Sequence, residues 1–181
     1  IAGGWKNSKT VTADSGRIRW QSTSLLEDGS VELNSTQLEV SGSVQQTGGI
    51  FNAEGGTVIL DNTLVASNTD ASLSRDVGGD FTSSGHNLIG IVGSARGLTD
   101  NVNSDQVGLL TLPVDPLLGP LSNNGGPTLT HVPQPGSPAI DAGAADGPAT
   151  DQRGIDRPHD ADADGIAHVD IGAVERFYAE I

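Results

Sequence analysis

The sequence TVILDNTLVASN, residues 57–68, carries the pattern on which the fold prediction rests. Val58 and Leu60 occupy alternate positions before a polar corner and Val65 follows it, so that these three apolar residues would face inward. Asn62 and Asn68 fall at corners, where Asn tolerates a left-handed backbone and its side chain can bond to an adjacent coil. The stretch therefore predicts a coil made of strand, bend, strand and bend.

A similar segment occurs earlier in the chain. SVELNST at residues 30–36 resembles TVILDNT at residues 57–63, at a spacing of twenty-seven residues. In each, two apolar residues alternate and a further apolar residue follows the corner, Leu38 in one and Val65 in the other. Such a repeat is typical of a β-solenoid, although two copies also fit a plain β-sandwich.

The composition favours strands and turns over helices. The chain has 181 residues, enough for one domain or one elongated body, with 25 glycines and only 3% aromatic residues. Glycine with Asn, Ser and Thr favours short strands joined by tight turns. Because cysteine is absent, disulfides and thiolate chemistry are excluded.

The formal charge of −14 bears on possible partners. It argues against nucleic acid and against anionic membrane surfaces, and no run of about eighteen apolar residues predicts a membrane span. The chain begins at Ile1 without a signal peptide pattern, which we interpret as a processed, carboxyl-terminal piece of a longer protein.

Three regions differ in composition. Residues 1–16 are predicted to be a strand-forming segment and residues 17–93 to be β-helix coils. Residues 94–181, rich in proline and glycine from Leu109 onward, are predicted to form an irregular wrap over the coils. The wrap would contain an acidic loop and a last short strand that includes Ile171 and Val174.

The acidic loop lies in RPHDADADGIAHVDIGAVE, residues 157–175. Alternate carboxylates of a tight loop can converge on one hard cation, and Gly165 allows a turn that adds a main-chain oxygen. The loop is not an EF-hand, because its twelfth position is Ile171 and not Glu. A solvated acidic turn without an ion remains the alternative. The predicted Ca²⁺ ligands are Asp160, Asp162, Asp164, the carbonyl of Ile166, and Asp170.

Several stretches together resemble a known family. VDPLLGPLSNNGGPTLTHVPQPGSPAIDAG (residues 114–143), TDQRGIDRP (150–158) and DIGAVE (170–175) resemble the carboxyl-terminal module of bacterial right-handed parallel β-helix surface proteins, of the choice-of-anchor or polymorphic-outer-membrane type. GGIFNAEGGTVILDNTLVASNTD (48–70) and GGDFTSSGHNLIG (78–90) resemble their coils, so the resemblance covers about residues 48–176.

The resemblance implies an all-β fold, a short right-handed parallel β-helix of the pectate-lyase-like solenoid kind. It also implies export from the cell and a structural or adhesive role. With the residues above, it predicts a Pro/Gly-rich carboxyl-terminal wrap and a calcium-binding loop.

Arg153, in DQRG, is predicted to be structural. A guanidinium can hold carboxylates or loop carbonyls with a fixed fork, and Asp141, Asp151 and Asp170 are candidate partners. The expected role is to pin the wrap to the coils. The alternative is that Arg153 contacts a ligand.

Catalysis finds little support in the sequence. A polysaccharide lyase needs calcium-binding carboxylates beside an Arg or Lys, and Arg17 and Arg19 lack a neighbouring acid cluster. A glycosidase needs two carboxylates roughly 5–10 Å apart, which any acidic chain can supply.

The sequence therefore predicts a non-catalytic, secreted or cell-surface structural module. Its partners would be other copies of itself, through head-to-tail stacking or strand exchange, or a surface glycan. A glycan-binding adhesin module and a polysaccharide lyase remain the alternatives.

Overall fold

The computed structural model describes residues 11–13, 17–21, 24–27, 31–33, 37–41, 44–47, 51–68, 76–161 and 163–177, with side chains from residue 58 onward in these ranges. Strands account for the first half of the described chain. They are β1 (Val11–Ala13), β2 (Arg17–Gln21), β3 (Ser24–Glu27), β4 (Val31–Leu33), β5 (Gln37–Ser41), β6 (Val44–Thr47), β7 (Phe51–Asp61), β8 (Leu64–Val65), β9 (Val77–Gly85), β10 (Leu88–Ile89) and β11 (Gln106–Val107).

These strands form three parallel sheets. The largest has the order β1-β4-β7-β5-β2, with β9 on the other side of β7; the second has the order β11-β10-β8, and the third pairs β3 with β6. Partners in the earlier strands are twenty residues apart, as in Val11 with Val31 and Gln37 with Thr57. The twenty-seven-residue repeat was wrong, because Thr57–Asp61 pairs with Gln37–Ser41 and not with the 30–36 segment.

The predicted short right-handed parallel β-helix was also wrong. The described residues form short strands in parallel sheets, with no helix and no closed barrel or solenoid among them. The physical reason is that alternation of apolar residues indicates strands and the face that they bury, whereas strand pairing and closure depend on the connections between strands. Several of these connections, including 14–16, 34–36 and 69–75, lie outside the described residues.

From Gly108 to Phe177 the described chain is mostly turns and irregular segments. Isolated antiparallel bridges join Leu109 to Leu112, Ser122 to Thr130, and His159 to His168. Residues 171–177, where a last strand was predicted, lie in bends and irregular chain. No helix in the described ranges is long and apolar enough to cross a membrane.

The irregular carboxyl-terminal part packs against the second sheet. Leu64, Ala66 and Leu88 form one buried cluster with Ala139 and Ile171, which come from the later chain. The main-chain N–H of Ile171 donates to the carbonyl oxygen of Ala139 at 2.8 Å. Apolar burial therefore holds two distant segments of the wrap side by side on the strands.

Candidate functional site

The corner at Asn62 is a contact between the strands and the wrap. Asn62 has a φ of 49° and is 3% exposed. Its Oδ1 accepts from the main-chain N–H of Ala144 at 3.0 Å, and its Nδ2 donates to the carbonyl oxygen of Asp170 at 3.4 Å. Its side chain thus bonds the wrap. At the other predicted corner, the main-chain N–H of Asn68 donates to Asp76 Oδ1 at 2.7 Å.

A polar ladder that the sequence analysis missed runs along the start of the second sheet. Asn87 is fully buried; its Oδ1 accepts from the N–H of Thr63 at 3.0 Å, and its Nδ2 donates to Asp105 Oδ1 at 3.0 Å. Each of these residues precedes a strand of that sheet. At Thr63 and Asn87 the available signal was a polar residue directly before an apolar pair; Asp105 precedes Gln106-Val107 and carried no such signal.

Asp151 and Arg153 form a buried ion pair in the wrap. Arg153 Nε donates to Asp151 Oδ2 at 2.8 Å, and both side chains are almost completely buried. Asp151 Oδ1 also accepts from the main-chain N–H groups of Arg153, at 2.7 Å, and Ile155, at 3.1 Å. Of the three partners predicted for Arg153, the structure shows this ion pair with Asp151.

The remaining donors of Arg153 reach two other parts of the wrap. Its guanidinium donates to the carbonyl oxygen of Glu175 and, at 3.4 Å, to that of Asn124. Its Cζ lies 5.7 Å from the ring centroid of Phe177, within the range of a cation–π contact. Arg153 therefore links the turn that contains Asn124, the turn at Asp151 and the end of the described chain.

Arg157 bonds to the carboxyl-terminal part of the wrap from a second position. Its two terminal nitrogens donate to the carbonyl oxygens of Asp170, at 3.2 Å, and Gly172, at 2.7 Å. Its Nε lies 3.5 Å from Glu175 Oε2. Burial lowers the pKa of the Arg157 guanidinium, and the nearby Glu175 opposes that shift. Arg157 and Glu175 were not among the predicted site residues.

Asp170 is fully buried, and each of its carboxylate oxygens accepts from a main-chain donor. Its Oδ1 accepts from the N–H of Asp141 at 2.8 Å, and its Oδ2 accepts from the N–H of Arg176 at 2.6 Å. Burial raises the pKa of Asp170 to about 7, although these hydrogen bonds oppose the shift. The neighbouring Glu175 contributes further to the rise.

Glu175 is the second fully buried carboxylate of the tail. Its Oε1 accepts from the N–H of His159 at 2.8 Å, and its Oε2 accepts from the N–H of Asp170 at 3.0 Å. Burial raises its pKa above the ordinary value. We call Asp151, Arg153, Arg157, Asp170 and Glu175 the ionic cluster.

The predicted calcium ligands are placed in two different settings. Asp160 Oδ2 accepts from the N–H of Gly165 at 3.0 Å, and Asp164 Oδ1 accepts from the N–H of Ile166 at 2.8 Å. These residues lie in the hairpin closed by the His159–His168 bridge, whereas Asp170 belongs to the ionic cluster.

Asp162 lies outside the described residues. Across the described ranges, no group of three or more His, Cys, Asp or Glu side chains is arranged to hold a metal ion. The described residues therefore do not fit one site that includes Asp170, and Ca²⁺ binding by the hairpin stays a prediction.

The ionic cluster bonds main-chain segments of the wrap to one another. Its carboxylate oxygens accept mainly from main-chain N–H groups, and its guanidinium groups donate mainly to carbonyls. The cluster connects segments of the wrap near residues 124, 151 and 170–176 through hydrogen bonds and ion pairs. No protein family model matches this chain, and neither a curated protein nor a solved structure matches it.

Proposed function

We propose that this chain is a non-catalytic structural module of a secreted or cell-surface protein, and that it terminates a set of parallel strands. The supporting observation is that loop residues cover the outer edge of the last strands. An uncovered edge presents unpaired N–H and C=O groups and invites another strand, so covering it stops further addition.

Two groups of contacts cover this edge. On β9, the N–H of Phe81 donates to the carbonyl of Arg96 and the N–H of Arg96 donates to the carbonyl of Gly79, both at 3.0 Å. On β11, the N–H of Val107 donates to Asp100 Oδ1 at 2.9 Å. The N–H groups on either side of Val107 bond to β10, so Asp100 occupies the donor that points away from the sheet.

The close fit of the covering loop supports the same interpretation. Gly97 has a φ of +82°, and a Cβ at this position would lie 1.8 Å from the carbonyl oxygen of Phe81. Only glycine fits so near the strand without moving the loop. We call Arg96, Gly97 and Asp100 the edge cap.

The opposite edge offers the place for a partner. Among the described strands, none pairs with the outer sides of β1, β2 and β3. Strand addition there by another polypeptide, including a second copy, is the interaction we propose. Open-ended head-to-tail stacking needs two free edges, and the edge cap argues against it.

The ionic cluster supports a structural role over a catalytic one. A catalytic acid or base must reach the substrate, whereas Asp170 and Glu175 are fully buried and bonded to the main chain. Secretion rests on the resemblance to surface proteins. The purified chain should release no unsaturated uronates from pectin-like polymers, and absorbance near the ultraviolet edge would overturn the non-catalytic assignment.

The edge cap is tested by Asp100→Ala, which removes the acceptor for Val107. We expect this variant to show a larger, concentration-dependent mass in size-exclusion chromatography with light scattering, because the donor becomes free to pair with another chain. Asp100→Asn keeps an acceptor oxygen and should behave as the wild type. Asp156→Ala removes the same charge from another exposed position and serves as the control.

Two outcomes would contradict the terminating role. One is an Asp100→Ala protein whose mass matches that of Asp156→Ala at every concentration. The other is long filaments of the wild-type protein in electron micrographs.

A further inference from the structure

The turn closed by Ser122 and Thr130 contains an Asn-Gly pair, Asn124-Gly125. Asn124 Nδ2 donates to the carbonyl oxygens of Ser122, at 3.3 Å, and Thr130, at 2.7 Å. It also lies 3.0 Å from Thr130 Oγ1. Thr130 is fully buried, so the carboxamide of Asn124 fills the inside of the turn.

An Asn-Gly pair is the sequence most prone to spontaneous deamidation. The main-chain nitrogen of Gly125 loses its proton to hydroxide and attacks Cγ of Asn124. The new N–Cγ bond gives a tetrahedral intermediate, whose Cγ–Nδ2 bond then breaks as Nδ2 takes a proton from water and leaves as ammonia. Water then opens the resulting succinimide at either carbonyl, which yields Asp or isoaspartate.

The folded turn restrains both reacting groups. The N–H of Gly125 donates to Asn123 Oδ1 at 3.2 Å, and the carboxamide of Asn124 is held by its three contacts inside the turn. Attack requires these hydrogen bonds to break and Cγ to turn towards the Gly125 nitrogen. The reaction therefore proceeds from a locally opened turn.

We propose that Asn124 is a deamidation site whose reaction is controlled by opening of this turn, and that its conversion keeps the turn open. The product carboxylate has no donor for the carbonyls of Ser122 and Thr130 and places a negative charge against them. Closure is then disfavoured, which makes the opening irreversible.

The consequence reaches the ionic cluster, because the turn contacts it in two places. Arg153 donates to the carbonyl of Asn124 at 3.4 Å, and Gln152 Nε2 donates to Thr128 Oγ1 at 2.6 Å. Loss of the closed turn removes both contacts. Deamidation would thus loosen the attachment of the wrap near Arg153.

The experiment incubates the whole chain at pH 8.5, folded and in guanidinium chloride. Deamidation is followed by the mass of the Asn124 peptide and by isoaspartyl methyltransferase labelling. We expect the folded chain to react at least about tenfold more slowly, since breaking two or three hydrogen bonds precedes attack. Equal rates in the two states would overturn the proposal, as would reaction at Asn123 in place of Asn124.

Matched threonine variants test the control by the turn. Thr130→Val removes the hydroxyl at Asn124 and should accelerate deamidation of the folded chain. Thr128→Val removes a hydroxyl from the same turn that contacts Gln152 and should leave the rate close to that of the wild type. Equal acceleration by both would count against the specific role of the Asn124 contacts.

Asn124→Asp tests the consequence independently of the rate. We expect this variant to be cleaved faster than the wild type within residues 120–135 during limited proteolysis, with strand content by circular dichroism unchanged. Identical cleavage of the two proteins would refute the irreversible opening.

Discussion

At the scale of single residues, burial decides what the charged groups do. Asp170 was predicted from the sequence to bind Ca²⁺ and Glu175 was not, yet both are fully buried and accept from main-chain donors. A fully buried carboxylate that accepts two main-chain hydrogen bonds in this way is typical of a structural group. Arg157 and Arg153 compensate the charges and bind the carbonyls around them.

The pH dependence of stability should follow Asp170. The pKa of Asp170 is about 7 in the folded protein, against an ordinary value of 3.8, so the folded chain binds this proton more tightly than the unfolded chain does. Its contribution to the free energy of unfolding is therefore largest below about pH 4 and falls by up to about 4 kcal/mol as the pH rises to about 7. The raised pKa of Glu175 and Asp76 acts in the same direction.

Denaturant titrations at pH 5 and pH 8 measure this effect. The wild type should be more stable at pH 5, and Asp170→Asn should reduce the difference because it removes the titrating group. Higher stability of the wild type at pH 8 would contradict the assignment.

Arg157 should be the more costly of two arginines to remove. Arg157→Ala leaves Glu175 buried without its ion-pair partner, and the expected loss is about 3–5 kcal/mol of unfolding free energy. Arg96→Ala removes an exposed pair with Asp80 and should cost less than about 1 kcal/mol. Chemical denaturation compares the two, and similar losses would contradict the buried role of Arg157.

At the scale of elements, strands and wrap are stabilised in different ways. Parallel partners bond through the main chain, and the polar ladder at Thr63, Asn87 and Asp105 continues this order at the start of the second sheet. The wrap has little regular structure, and side chains bond to several of its main-chain groups in addition to the main-chain hydrogen bonds between its segments. The 159–168 hairpin differs again, because Asp160 is half-buried and Asp164 is exposed.

Calcium binding can be assigned to this hairpin by variants. If the hairpin binds Ca²⁺, a chelator should lower the melting temperature of the wild type, because removing a ligand of the folded state removes its stabilisation. Asp160→Asn should abolish the chelator effect. Asp170→Asn should preserve it, since the structure places Asp170 in the ionic cluster. An unchanged melting temperature on chelation would contradict calcium binding.

At the scale of the whole molecule, loop residues cover one edge of the described strands, and the chain is strongly acidic. The edge cap uses Arg96 and Asp100 to occupy groups that would otherwise pair with another strand. The formal charge of −14 adds repulsion between copies. Both features favour a module that ends an assembly over one that extends it indefinitely.

The net charge also predicts a dependence on salt. Self-repulsion disfavours the compact state, so raising NaCl from about 0.01 M to 0.15 M, which shortens the screening length from about 30 Å to 8 Å, should raise the melting temperature. Thermal melts in NaCl at a fixed pH measure this. A lower melting temperature at the higher concentration would show that attractive ion pairs dominate.

The amino-acid sequence alone determined the strand-rich character, because glycine, Asn and β-branched residues favour strands and turns locally. It also indicated the left-handed corner at Asn62, since a polar Asn after an alternating strand tolerates that conformation. The contact between Asp151 and Arg153 could also be predicted from the sequence, because a single residue, Gln152, lies between them.

The tertiary structure alone decided the twenty-residue spacing of strand partners and the place of Asp170. Strand register depends on which distant segments pair, and the match between residues 30–36 and 57–63 did not encode it. The role of Asp170 depends on burial against Asp141, Glu175 and Arg176. Burial is a property of packed segments, and for this reason the nearness of Asp170 to the acidic loop in the sequence did not reveal its place in the ionic cluster.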